Sequence, residues 1–277
     1  MPTFIDRVKA GDGRILWLDY VDYAGALLAG GNVPWLDTTA SAAWLRKAQG
    51  LLRSDVITLP VGRACAAWLE AHPPLREAMR AKPRAVVPTR TLLADDALRS
   101  HLAELVRALR GSVPGPSFAL VCPSPRAWVA EAYEQAHGCG VDVGEDEADS
   151  AALYIADFLR AFGESGIDAL LLVESAASEP VTAQDVACYR SALNVAAHYR
   201  WDVGLSVPGT RYQGGAAGLD FVVAPQALPG AVAGRVLTVD FWAGAAPPDP
   251  APECFRYATV PANADPERVL ERLALLR

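Results

Sequence analysis

The side chains best placed for chemistry are charged residues that end otherwise apolar runs. Glu174 closes the run Ala169–Val173. A carboxyl at the edge of a low-dielectric interior has a raised pKa, which suits general acid or base work. The plain alternative is a structural carboxylate paired with an arginine. Asp240 ends the run Val236–Asp240, and Phe241 and Trp242 follow it. An acid beside aromatics can orient a substrate, with Trp242 as a stacking wall, or it can be a turn-initiating Asp beside a packed Trp. Arg63 and Arg90 follow the runs Val56–Val61 and Ala85–Val87. Their planar guanidinium donors suit a carboxylate or phosphate, and equally suit solvation or a rim salt bridge. Arg126, in Cys122-Pro-Ser-Pro-Arg, is a third candidate for holding an anion.

Other chemistries find less support. His137-Gly138-Cys139 has metal-ligand spacing, but a zinc site takes three or four ligands, and His72, His101 and His198 read as helix residues. No metal and no cofactor are therefore expected. Cys122 ends an apolar run with no His positioned as its base, so it reads as a core thiol. There is no G-x-S-x-G elbow for a serine nucleophile.

The elements that must position these residues form an α/β pattern. Two amphipathic helices are expected first: one from the spacing of Leu16, Tyr20, Ala24 and Leu27, the other from Trp44, Leu45, Ala48, Leu51 and Leu52. After them come eight β-rich runs: Val56–Val61, Ala85–Val87, Ser117–Cys122, Asp168–Glu174, Asp202–Val207, Leu219–Val223, Val236–Asp240 and Phe255–Val260. Most are continuously apolar, which predicts burial on both faces and hence a parallel sheet. Helical segments separate the first five. The gaps 208–218, 224–235 and 241–254 are rich in Gly and Pro and predict irregular crossovers. The first of these strands ends Leu59-Pro60-Val61-Gly62-Arg63 without a phosphate-binding glycine motif, which disfavours an open doubly wound sheet. The expectation is an eight-stranded (β/α)8 TIM-type barrel, with residues 1–54 as a helical extension and 55–277 as the barrel. In such a barrel every strand ends on one face, where the site sits.

The composition fits. The chain has 277 residues, 52% hydrophobic and 21% charged, with a net charge of −7. No Lys/Arg block offsets the negative charge, so no nucleic-acid partner is expected. No apolar run is long enough to span a bilayer, so no membrane partner is expected either. Five scattered cysteines without a CxxC pair suit reduced thiols and a cytoplasmic location. The sequence carries no signature of an oligomeric state.

Three segments also carry a family resemblance. Phe158–Glu174, FLRAFGESGIDALLLVE, is similar to a helix ending in "aGid" that leads into a barrel strand closed by an acid. Val113-Pro-Gly-Pro-Ser-Phe-Ala-Leu resembles the entry to another strand, and Ala264-Asp-Pro-Glu-Arg-Val-Leu the start of a closing helix. Together these resemble the uroporphyrinogen decarboxylase and cobalamin-independent methionine synthase superfamily. The departures are specific: no Pro follows Glu174, the strand end Leu205-Ser206-Val207-Pro208 lacks the zinc-binding His-x-Cys, and no arginine-rich N-terminal motif is present. The resemblance and the residues imply a metal-independent lyase or transferase on a small anionic organic substrate. Arg63 and Arg90 would hold the anion, and Glu174 and Asp240 would handle protons. The alternative is a non-catalytic barrel that binds a small ligand or a protein partner.

Overall fold

The computed structural model describes residues 3–11, 13–175, 180–208, 212–214, 218–225 and 232–277. Its centre is one sheet of eight parallel strands: β1 (Leu16–Asp19), β2 (Val56–Pro60), β3 (Ser117–Pro123), β4 (Ala169–Val173), β5 (Asp202–Ser206), β6 (Phe221–Ala224), β7 (Val232–Val236) and β8 (Cys254–Thr259). Their order is β1-β8-β7-β6-β5-β4-β3-β2, each pair parallel. The two ends of that row meet. Asp55 donates its backbone N–H to the Leu16 carbonyl at 2.8 Å, and the Ser54 hydroxyl accepts the Leu18 N–H at 3.0 Å. The sheet is thus a nearly closed α/β barrel of the TIM type.

Helices cover the outside. Before β3 these are α1 (Phe4–Ala10), α2 (Val21–Ala29), α3 (Thr38–Leu52), α4 (Val61–Ala71), α5 (Pro73–Met79), α6 (Val86–Leu93) and α7 (Asp96–Ser112). After it come α8 (Pro125–His137), α9 (Glu145–Leu159), α10 (Ala183–Cys188), α11 (Arg190–His198), α12 (Val239–Ala243) and α13 (Pro266–Ala274). Among the described residues no helix lies between β5 and β7. Much of that stretch (209–211, 215–217 and 226–231) lies outside the described residues.

The continuous apolar runs are buried on both faces, as their composition predicts. Ile57, Leu59, Leu170 and Leu172 face the helices, whereas Val56, Ala119, Leu171, Phe221 and Phe255 fill the barrel. The first helix, α1, closes the barrel's N-terminal end. Phe4 meets the rings of Trp17, Phe221 and Phe255 at 5.4, 5.2 and 5.3 Å. The same end carries a repeated stitch: an aspartate at a strand's start accepts a backbone N–H from its neighbour. Asp55, Asp168 and Asp220 take the N–H groups of Leu16, Phe118 and Val203, each at 2.8 Å. The Gly-Ile-Asp of the helix-to-strand pattern therefore serves the barrel's stable end.

Three expected elements differ. Leu16–Leu27 is not one helix, because Leu16–Asp19 is the strand β1 and the helix starts only at Val21. The sheet therefore begins inside the segment expected to be a helical extension. Trp17 must fill the barrel while Leu16 and Leu18 face outward, and that period-two demand overrides the helical spacing. The segment around Ala85–Val87 is helical, not a strand: α6 starts at Val86. Pro88 sits in its first turn, where the missing N–H has no intrahelical partner anyway. Finally, β7 spans Val232–Val236, and the residues expected to be its body lead instead into α12. A Cβ on Gly234 would meet the Phe255 ring at 2.7 Å, so the glycine is there for close packing and not as a turn signal.

Candidate functional site

A cavity of about 370 Å³ opens at the C-terminal ends of the strands, bounded by the ends of β1 to β4 and by β8. Its polar lining includes Asp19, Thr58, Arg63, Glu131, Glu174 and Tyr257, and its walls include Val121 and Val173. A cavity of this size suits a small organic molecule.

Asp19 is the last residue of β1, turned into the cavity by the strand alternation that points Trp17 into the barrel below it. Burial raises the pKa of its carboxyl. The Val21 N–H it accepts opposes that rise, Asp22 adds to it, and Arg63 pulls it back. Beside it Tyr257 projects from β8, whose register pairs Tyr257 with Trp17 and Thr259 with Asp19. Burial, with the Asp19 charge second, holds the Tyr257 phenol firmly protonated. Thr58 comes from β2 across the barrel seam and is 8% exposed.

Glu174 follows β4 directly and is 6% exposed. Its Oε2 accepts from the Ser124 hydroxyl at 2.8 Å and its Oε1 from the Tyr189 phenol at 2.5 Å. Ser124 is placed by its role as N-cap of α8, where it also accepts the Ala127 N–H, and Pro125 follows at the first helical position. Burial raises the Glu174 pKa; the Tyr189 and Ser124 donors and the Arg126 charge oppose the rise. Glu174 also lines a second cavity of about 470 Å³, shared with Arg126, Thr182, Asp185 and Tyr189.

Of the residues expected from sequence, Arg63 and Glu174 share the mouth cavity. Arg63 lies in the first turn of α4 as a rim cation, its two terminal nitrogens on the two Asp22 oxygens at 2.7 and 2.8 Å. Arg126 pairs with Asp185 at 2.6 Å in the second cavity. Arg90 does not follow a strand: it is exposed on α6 and lines neither cavity. Asp240 is exposed in the first turn of α12, and Trp242 is packed, with its indole N–H on the Thr259 carbonyl at 2.9 Å. Neither lines the two cavities.

Cys122 is buried beside Cys65, and burial pushes its thiol well up, as befits a core residue. His137 packs on Tyr133 at the end of α8, and Cys139 is exposed. Among the described residues no group of three or more His, Cys, Asp or Glu sits together in a way that could hold a metal ion.

Sequence reasoning missed Asp19, Thr58 and Tyr257. The signal for Asp19 was present: Leu16-Trp17-Leu18-Asp19 is an apolar run closed by an acid, the same pattern that marks Glu174. Tyr257 and Thr58 carry no such signal, since each lies inside a strand and becomes a site residue only through its inward position. Comparison of the chain with models of known families and with curated proteins finds no match.

Proposed function

We propose that this barrel is an acid–base enzyme of lyase or transferase type, acting on a small organic molecule held in the mouth cavity. One observation carries the reading. Two carboxyls from different strand ends, Asp19 and Glu174, line one cavity, and burial raises both. Their surroundings differ: among the described residues Asp19 has the Val21 backbone N–H beside it, whereas Glu174 is steadied as a carboxylate by two hydroxyl donors. Paired titratable groups in unequal environments divide the acid and base roles. Asp19 is assigned the acid and Glu174 the base. A divergent relationship to the uroporphyrinogen decarboxylase and methionine synthase superfamily belongs to the same proposal, supported by the barrel and by the acid after β4. The five free thiols and the lack, among the described residues, of a helix long and apolar enough to cross a membrane are compatible with a cytoplasmic enzyme.

A barrel that binds without turnover is favoured by one feature, that both Glu174 oxygens are already engaged. The two readings separate in a mass-spectrometric screen for conversion of small amines, hydroxy acids and amino acids. The enzyme reading expects conversion that falls by about 10²–10⁴-fold in both Asp19→Asn and Glu174→Gln, each still folded by circular dichroism. Compounds that stabilise the protein thermally but are never converted would support the binding barrel instead.

A further inference from the structure

We propose that the mouth cavity selects a small organic cation, a primary amine or guanidine on a short apolar skeleton, its charged head held by Asp19, Thr58 and Tyr257. The inference rests on reading this cavity as the binding site, and it names the ligand class.

Charge is the first argument. Among the described residues three carboxyls, Asp19, Glu131 and Glu174, line the cavity against one cation, Arg63. That cation is already committed, since both ends of its guanidinium fork are taken by Asp22. Arg126 lies across Glu174 in the neighbouring cavity and is bound to Asp185. Among the described residues an anion entering here would meet carboxyls and no free cation, whereas a bound cation favours the ionised form of those carboxyls and meets its complement.

Unfilled hydrogen-bonding capacity is the second, independent argument. Thr58 is 8% exposed and lines the cavity, and its hydroxyl has no hydrogen-bond partner among the described residues. The Tyr257 hydroxyl likewise has none. Asp19, with the Val21 N–H as its neighbouring donor, lines the same cavity. These three oxygens come from inward positions on neighbouring strands β2, β8 and β1. Thr58 is buried and Asp19 and Tyr257 are half-buried, and polar oxygens that face a cavity without a protein partner are open to a ligand's donors. An ammonium offers three N–H donors and no acceptor, and a guanidinium offers five. Val121, Val173, Pro60 and Pro123 supply apolar wall for a short carbon chain.

The test is calorimetric titration of the full chain with n-butylammonium and n-butylguanidinium, against 1-butanol and butyrate of similar size. Both cations are expected to bind and the alcohol and carboxylate not to. Asp19→Asn should weaken cation binding tenfold or more, Thr58→Val severalfold, and Glu271→Gln on the outer helix α13 should leave it unchanged. Asp22→Asn, which releases the Arg63 charge without touching the trio, should weaken the cations and strengthen butyrate; this keeps the proposal testable if Asp19→Asn fails to fold. Butyrate binding more tightly than the cations overturns the proposal, as does undiminished cation affinity in folded Asp19→Asn. No binding of either cation at concentrations on the order of 10 mM overturns it as well. The enzyme reading fails separately: cation binding without conversion of any amine leaves the ligand class standing. Conversion of a carboxylate that is lost on Asp19→Asn keeps the enzyme and removes the cation.

Discussion

The phenol of Tyr189, at the junction of α10 and α11, donates a 2.5 Å hydrogen bond to Oε1 of Glu174, which follows β4. With Ser124 on the other oxygen, the carboxyl is clamped between two helical segments and does not rely on its own strand alone. Both donors favour the ionised form against the burial that opposes it.

Tyr189→Phe should therefore raise the Glu174 pKa further, because it removes the phenol donor that stabilises the carboxylate and leaves burial in place. Carboxyl-carbon NMR titration of Glu174 in wild type and variant reads this directly. An unchanged or lower midpoint would show that the phenol does not stabilise the carboxylate.

Asp19→Asn should make the unliganded protein more stable at neutral pH. Burial holds the Asp19 pKa above its unfolded value, so the folded state keeps a proton that the unfolded chain has already released. Folding stability accordingly falls as pH rises from the unfolded pKa through the folded one. Asparagine keeps an acceptor for the Val21 N–H and escapes that loss. The Tm of the variant should exceed that of wild type at pH about 7, by about 2–4 °C per kcal/mol relieved, and the two should converge below the unfolded carboxyl pKa of about 3.9. A lower variant Tm at neutral pH would mean that the Asp19 carboxylate is a net stabiliser.

Trp17→Ala should cost about 3–5 kcal/mol in urea unfolding, because the indole is fully buried between Phe4, Phe221 and Phe255. Gly204→Ala tests the same interior from β5, since its Cβ would lie 2.1 Å from the Phe221 ring, and overpacking of that kind costs about 1–3 kcal/mol. A Trp17→Ala loss below about 1 kcal/mol would contradict β1 as a barrel wall.

Asp168→Ala should cost about 1.5–3 kcal/mol without changing ligand binding at the mouth. Asp168 accepts the Phe118 N–H at 2.8 Å and lies 3.4 Å from Arg110, all at the opposite end of the barrel from the cavity. Denaturant titration and cation calorimetry on one preparation check both halves. A changed affinity with unchanged stability would reverse the division of labour between the two ends.

The parts legible from sequence were those whose signal is local. The runs Val56–Pro60, Ser117–Pro123 and Ala169–Val173 are apolar throughout because both faces are covered, and that shows in any window of the chain. Glu174 was visible for the same reason, as a charge ending such a run. Leu16–Asp19 carries the same mark, but Tyr20, Ala24 and Leu27 continue it at helical spacing; Ala24 and Leu27 do belong to a helix, α2, and the eye extends it too far. Around Val86 the apolar run Ala85–Val87 suggested a short strand, but Pro88 sits in the first turn of a helix, where it costs no hydrogen bond.

Sequence alone thus determined a parallel α/β barrel with an acid after β4 and an arginine after β2. Which charges meet was decided only by closure. Asp19 and Tyr257 are far apart in the chain and become neighbours because β8 pairs with β1. Thr58 joins them because β1 is stitched to β2 through Ser54 and Asp55. Arg63 was legible as a cation at the mouth, but its partner Asp22 lies on α2, and no window of the sequence shows that the two pair. Local composition specifies elements, because burial and dihedral preference act residue by residue. The sign of a cavity is set by every strand end that closure brings to it.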